Sequence, residues 1–480
     1  MKGLKLIILL NLISGCLWAQ SSITYEPYQF ISRSKDTVDT ELGTIQVPEN
    51  RTNPNSRMIN IKFVKFKSTS SNPGYPIVYL AGGPGGSGIG AARGRRFELF
   101  MALSQFADVI ALEQRGTGLS NDLPRCPEMA RLDLMEPGTM DYYISNLSKT
   151  AGSCIEFWKG ENVDITGYNT IENANDLEDL RKALGTEKLN LWGISYGTHL
   201  AFNYIKRYED KVDKVILASL EGPDETIKLP SNTQAYLNTL VSYINKNEAA
   251  QKAYPDLLGL MKSVFDRLES SPVKSEFQNP RSGKKGEVMI SKLDLQLVTS
   301  YFLVKNPEDA AKLPFLYHQM KQGDFSGVAT YIAMVKSYAG MIDPMSFAMD
   351  AMSGISSERW EQVQKEADSA LLGRTTNFPF PDIGLKVGFP MMPDSFRENP
   401  ISGVNALFFS GTLDGRTYIP AAKKLVAGFK NGKHIIIEGA GHDLFLSTPK
   451  VKEIMLNFME GKKVKSQTID AGAPDFKLLN

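Results

Sequence analysis

Across 480 residues the chain has only three cysteines and four histidines, and 54 basic against 53 acidic residues leave a net charge of +1. A chain this close to neutrality lacks the excess of basic charge that nucleic acid or an anionic membrane surface would select, so neither is expected as a partner. Past the first twenty residues no apolar run approaches ~18 residues, which excludes a membrane span in the mature chain. Repeats and low-complexity blocks are also missing. What remains is 42% apolar and 22% charged, the balance of a soluble globular protein. At this length one large core with a sizeable insertion is expected, not one small domain.

The N-terminus stands apart. Met1 to Lys5 is basic, Leu6 to Leu12 is apolar, and Leu17-Trp18-Ala19 offers a small residue before a cut at Gln20 or Ser21. This predicts a secretory signal over residues 1–20. A competing pattern, Ile13-Ser14-Gly15-Cys16, would leave Cys16 lipidated. Simple cleavage is preferred, because the residues after Cys16 stay bulky and apolar. Both patterns export the chain, to the periplasm or outside the cell. Export allows Cys126 and Cys154 to form a disulfide, which the chain-entropy argument values at ~3 kcal/mol. The alternative is two unrelated buried thiols.

The rhythm of the chain predicts an α/β fold. Leu42 to Val47 and Met58 to Lys67 read as outer strands. Pro76 to Ala81 and Asp108 to Leu112 are continuous apolar runs, as strands buried on both faces require. A helix capped by Thr170 carries an apolar stripe from Ile171 to Leu184. Leu189 to Ser195, a helix over Thr198 to Tyr208, and Val212 to Ser219 continue the alternation that marks a mostly parallel sheet flanked by helices. From Glu221 to about Ser402 strand signals fade, and ten of the eighteen methionines fall there, six of them between Met320 and Met352. Those methionines are read as core filling, with an adaptable apolar pocket as the alternative. The sheet resumes at Val404 to Phe409 and His434 to Ile437, and a helix covers Pro449 to Met459. The expected organisation is a core over 21–220, a helical cap inserted over 221–402 after the sixth strand, the rest of the core over 403–462, and a surface tail over 463–480.

Gly193-Ile194-Ser195-Tyr196-Gly197 sits between a predicted strand and a predicted helix. That is the setting of a nucleophile elbow, a tight turn that lifts a serine hydroxyl clear of the sheet. A serine hydroxyl is a weak nucleophile at neutral pH and needs a base held by an acid. His442, in the glycine-lined loop Glu438 to Asp443 after the last strand, is placed to be that base. Asp414, in Ser410 to Gly415 after the preceding strand, is placed to orient it. The order Ser, Asp, His along the chain agrees with a hydrolase of this architecture. His199, on the helix after the elbow, is expected to pack; His318 lies in the insertion, and His434 begins a strand. The Tyr196 backbone N–H and Gly83, in Gly82 to Gly88 after the first buried strand, are expected to form the oxyanion hole. That loop lacks the G-K-[ST] ending of a phosphate-binding loop.

Together these segments resemble the prolyl aminopeptidase and tripeptidyl aminopeptidase family of α/β-hydrolase serine peptidases. Gly82-Gly83-Pro84-Gly85 is similar to its H-G-G-P-G loop, Gln114-Arg115-Gly116-Thr117-Gly118 to its D-Q-R-G-x-G segment, and Gly193 to Gly197 to its elbow. Asn175 to Gly185 and the paired-cysteine loop before it look like the exported, tripeptidyl-type branch. The resemblance implies release of N-terminal residues or short peptides through an acyl-enzyme, without metal or cofactor. Ala81 stands where the family has His and Glu113 where it has Asp, both at the substrate end of the sheet. Family carboxylates that bind the substrate's free α-amino group point to Glu221, and with less support to Glu113; a surface carboxylate is the alternative for Glu221. Arg115 is expected to brace its loop by an ion pair. The substrate is thus a small peptide, or an ester if the methionine-rich region lines an apolar pocket; a non-catalytic binding protein on the same scaffold is the third reading.

Overall fold

The computed structural model describes residues 22–279, 283–303, 306–338 and 340–479. The predicted signal over 1–20 and Cys16 lie outside the described residues. Among those described, no helix is long and apolar enough to cross a membrane.

The strands are β1 (Thr24–Ile31), β2 (Thr37–Pro48), β3 (Met58–Phe66), β4 (Ile77–Leu80), β5 (Val109–Leu112), β6 (Leu189–Ser195), β7 (Val212–Leu220), β8 (Val273–Gln278), β9 (Lys285–Ile290), β10 (Asn405–Gly411), β11 (Gly432–Glu438) and β12 (Gln467–Asp470). Ten of them form one sheet in the order β1-β2-β3-β5-β4-β6-β7-β10-β11-β12. The pairs β1–β2, β2–β3 and β3–β5 are antiparallel. From β5 onward every pairing is parallel. The core helices that matter below are α1 (Gly88–Arg93), α2 (Phe97–Leu103), α3 (Met140–Gly160), α4 (Thr170–Ala183) and α5 (Tyr196–Tyr208).

Both faces of the central strands are covered, which is why they read as unbroken apolar runs. In β4, Ile77 and Tyr79 face a layer with Phe100 of α2 and Trp192, and the Tyr79 and Trp192 ring centroids lie 4.6 Å apart. Val78 and Leu80 face the opposite layer, with Leu177 of α4 and Phe202 of α5. Asn169, not Thr170, caps α4, accepting from the Glu172 N–H. The Thr170 hydroxyl lies 3.0 Å from the Tyr196 hydroxyl instead.

Four strands, β1, β8, β9 and β12, went unread in the sequence. β1 lies at the sheet edge with most side chains exposed and carries Pro27, which only an edge strand tolerates, so its pattern gave no burial signal. The helical insertion therefore follows the seventh strand and not the sixth. β12 pairs with β11 at the other edge, and Phe476 is buried, so the described part of the expected surface tail, residues 463–479, is not merely a tail. The insertion itself contains the hairpin β8–β9, in which β8 alternates half-buried with exposed residues and β9 buries Val288 and Ile290.

Between β7 and β10 the helices, including Pro230–Lys246, Leu257–Ser270, Leu313–Lys321 and Ser326–Tyr338, bury a core of their own around Leu237, Leu240, Met261, Phe265 and Tyr317. Helix Pro344–Ser353 behaves differently: Met345, Met349 and Met352 pack into the layer beneath α4 and α5. Lys336, fully buried, donates to the Glu136 and Met289 carbonyls at 2.7 and 2.8 Å, with Asp294 at 3.3 Å. It fastens the insertion to the segment leading into α3. Cys126 and Cys154 are disulfide-bonded, tying that segment to α3 at its other end.

Candidate active site

Ser195 ends β6 and precedes the first residue of α5 with φ 55° and ψ −127°. A non-glycine residue rarely holds this left-handed conformation, and one that does stores strain the surrounding packing must outweigh. Close packing enforces it: a Cβ on Gly197 would stand 2.1 Å from the Leu80 carbonyl, so no other residue lets α5 start this near β4. The Thr198 hydroxyl donates to the Ser195 carbonyl at 2.7 Å and accepts from the Glu221 N–H at 2.8 Å. The loop after β4 crosses directly over the serine, since a Cβ on Gly82 would lie 2.9 Å from the Ser195 Cβ. Tyr196 opens α5, so its N–H is one of those without an intrahelical acceptor and is available to an anion. Its ring is buried against His199, and its hydroxyl reaches the Met349 sulfur at 3.0 Å.

Asp414 and His442 come from the loops after β10 and β11, adjacent parallel strands whose ends lie side by side. His442 Nδ1 and Asp414 Oδ1 are 3.0 Å apart. The Asp414 carboxylate, 2% exposed, also accepts from the Arg416 and Thr417 N–H groups at 2.9 and 3.0 Å and from the Thr417 hydroxyl at 2.5 Å. Burial opposes its charge, but the imidazole and the Thr417 bonds outweigh burial and hold its pKa at about 2. The His442 carbonyl accepts from the Ser219 hydroxyl at 2.6 Å, and Ser219 itself holds φ 54°.

Ser195, His442, Gly83 and Glu221 line one cavity of about 1030 Å³ between the sheet's C-terminal edge and the helical insertion. Asp414 stands behind His442. Glu221 is buried, with Lys228 Nζ at 3.4 Å. Asp350, half-buried on helix Pro344–Ser353, lines the same cavity; desolvation, reinforced by the Glu221 charge, pushes its pKa up to about 8. The aromatic wall is Phe378 and Phe380. No methionine lines this cavity among the described residues; Met261, Met320, Met345, Met349 and Met352 of the insertion fill cores, while Met341 and Met391 are exposed.

Glu113 is not brought to the cavity. It is buried under Gly118, accepting from the Ser87 hydroxyl at 2.6 Å and the Gly88 N–H at 3.1 Å, and so shapes the start of α1. Burial raises its pKa despite those bonds. Arg115, fully buried, pairs with Asp176 at 2.7 Å and donates to the Gly167 carbonyl. The other histidines are engaged elsewhere: His199 with the Gly222 carbonyl at 3.1 Å, His434 with Ser410 at 2.9 Å, and His318 with Gln322 at 2.9 Å. Asp350 was missed, because one carboxylate in Pro344-Met345-Ser346-Phe347-Ala348-Met349-Asp350 has no motif around it. The only available signal was a lone acid within an otherwise apolar helix.

Residues 75–266 match the α/β-hydrolase fold family. The serine protease Hip1 of Mycobacterium tuberculosis (strain ATCC 25618 / H37Rv) is 30% identical over 191 residues, covering 38% of this chain and 36% of that protein. Tripeptidyl aminopeptidase of Streptomyces lividans is 26% identical over 194 residues, covering 38% and 36%. Proline iminopeptidase of Arabidopsis thaliana is 25% identical over 166 residues, covering 35% and 32%. The chain thus matches about a third of the length of these curated relatives. With its mostly parallel sheet flanked by helices and the strand-to-helix turn at Ser195, the chain has the α/β-hydrolase fold, and its residues 75–266 match that fold's family.

Proposed function

We propose that this chain is an exported serine hydrolase that releases N-terminal residues or short peptides from small peptides. Ser195 Oγ attacks the scissile carbonyl carbon while its proton passes to His442 Nε2. Asp414, ionised at any pH well above about 2, holds Nδ1–H and stabilises the imidazolium. The developing oxyanion is received by the Tyr196 and Gly83 N–H groups, each donor being worth ~10²–10³ in rate. The imidazolium protonates the leaving amine as the C–N bond breaks, and a water deprotonated by His442 then hydrolyses the acyl-enzyme.

The observation that carries the peptidase reading is a recessed carboxylate pair, Glu221 and Asp350, in the cavity that holds Ser195 and His442. An α-ammonium placed there restores to Asp350 the charge compensation that burial removed. An ester substrate offers no such partner, and the lining without methionine takes away the feature that favoured it. In this reading residues 1–20 are removed on export, the Cys126–Cys154 bond suits an oxidising compartment, and residues 221–402 act as the cap.

The test compares free and N-acetylated aminoacyl or tripeptidyl substrates of the purified protein, alongside fluorophosphonate labelling. Cleavage confined to the free amine, with labelling that disappears in Ser195→Ala, is expected. Equal turnover of both substrates, or turnover of esters alone, would overturn the aminopeptidase assignment.

A further inference from the structure

The cavity is lined by four cationic side chains, Arg95, Arg96, Lys228 and Arg416. Three have their charge met by protein. Arg95 and Arg96 reach Asp443 at 3.2 and 2.5 Å, and Lys228 reaches Glu221 at 3.4 Å. Arg416 forms no ion pair among the described residues. Its Nη2 donates to the Tyr301 carbonyl at 2.8 Å, and its guanidinium lies 4.4 Å from the centroid of the Tyr301 ring. Its Nε and Nη1 make no hydrogen bond to the protein among the described residues, and the side chain is half-buried at the cavity wall.

A bracing role accounts poorly for this arrangement. Three bracing arginines are each supplied with a carboxylate: Arg115 has Asp176, Arg374 has Asp382, and Arg359 has Glu225 at 3.0 Å. Arg416 instead lies over a ring and donates to one carbonyl, lines the cavity, and keeps the remaining donors of its fork without a protein acceptor among the described residues. Its place is also fixed relative to the reacting groups, because its own N–H donates to Asp414 Oδ1 at 2.9 Å. A rigid, unneutralised guanidinium in a recessed cleft favours an oxyanion partner, which it takes in bidentate fashion.

We infer that Arg416, over the Tyr301 ring in the loop that carries Asp414 and with its charge unpaired, is a specificity-determining residue that receives a carboxylate of the substrate. The inference rests on the peptidase reading above and names its substrate class: peptides presenting an anionic group together with a free amine. Glu221 with Asp350 and Arg416 then offer one site of each sign, matching the zwitterion that a short peptide is near neutral pH. The carboxylate has two possible sources, the C-terminus of a short peptide or an Asp or Glu side chain near the scissile bond.

The experiment measures kcat/KM for a tripeptide against its C-terminal amide, and for Glu- against Gln-containing peptides, in the wild-type protein, Arg416→Met and Arg416→Lys. A preference of about tenfold or more for the carboxylate form is expected in the wild type, lost in Arg416→Met and partly regained in Arg416→Lys. Preference on the first pair assigns the C-terminus; preference on the second assigns the side chain. No preference on either pair in the wild type overturns the inference, whatever the variants do. So does a preference that survives in folded Arg416→Met; should that variant unfold, the same result in folded Arg416→Gln overturns it. Fluorophosphonate labelling of the wild type separates the failures: labelled protein without carboxylate preference sinks only Arg416, while unlabelled protein sinks the hydrolase reading.

Discussion

The sheet side and the helix side of the cavity are built from different material. On the sheet side, backbone geometry does the positioning: Ser195 and Ser219 hold φ of 55° and 54°, and Gly197 lets α5 start against β4. On the helix side, Asp350, Tyr301 and Asp309 are ordinary side chains delivered by separate short segments. Bond breaking requires atoms placed to a fraction of an ångström, and strained backbone locked by packing supplies that. Substrate choice requires charge and shape, which side chains on exchangeable helices supply. The two sides should therefore fail in different ways when altered.

Removing the proposed nucleophile on the sheet side has the largest expected effect. Ser195→Ala should lower kcat/KM by ~10⁴-fold or more and abolish fluorophosphonate labelling, with unchanged thermal unfolding. A variant that keeps a tenth of its activity would break the division of labour outright.

Next comes Asp350 on the helix side. Its carboxyl stays protonated in the folded chain up to about pH 8, whereas in an unfolded chain it ionises near ~3.9. Through that window the unfolded state sheds a proton the folded state retains, so rising pH drains stability. Denaturant titrations from about pH 4 to about pH 8 should show this downward slope, and Asp350→Asn should flatten it by on the order of several kcal/mol. An unchanged slope would place the carboxylate in a more polar setting.

Leu240→Ala, in the core of the insertion, should cost about 2–5 kcal/mol of stability by denaturant titration, because the side chain is fully buried. It should leave labelling of Ser195 intact. Loss of labelling would show that the helical side also holds the reacting groups in place.

Glu221→Gln keeps the size of the side chain and removes the charge proposed to meet the substrate's ammonium. KM for free-amine peptides should rise by about 10- to 100-fold, with kcat changing less. The smallest effect belongs to the hairpin rim: Lys274→Ala breaks an exposed pair with Glu287 at 2.9 Å and should cost under ~1 kcal/mol with no kinetic change.

The same contrast explains what could be read from the sequence. Ser195, Asp414 and His442 each follow a buried strand and sit among glycines that the local turn requires, so short-range pattern reveals them. Asp350 and Arg416 carry no such mark. Their proximity to Ser195 arises from how helix Pro344–Ser353 and the loop after β10 meet around the cavity, which is long-range information. Glu113 misled for the related reason that closeness to a strand end does not say which way a carboxylate turns; here it turns to Ser87 and Gly88. The strands β1 and β12 escaped because edge strands bury little and so show little alternation.

Thr198 and Ser219 have a consequence for anyone who would transplant this insertion onto another scaffold. Through its hydroxyl, Thr198 joins the Ser195 carbonyl to the Glu221 N–H, and Ser219 secures the His442 carbonyl. The chain thus leaves the sheet next to residues that hold the proposed nucleophile and the proposed base in place. A graft seam cut before Ser219 would disturb both contacts at once, whereas one cut beyond Gly222 keeps both, and Glu221 with them.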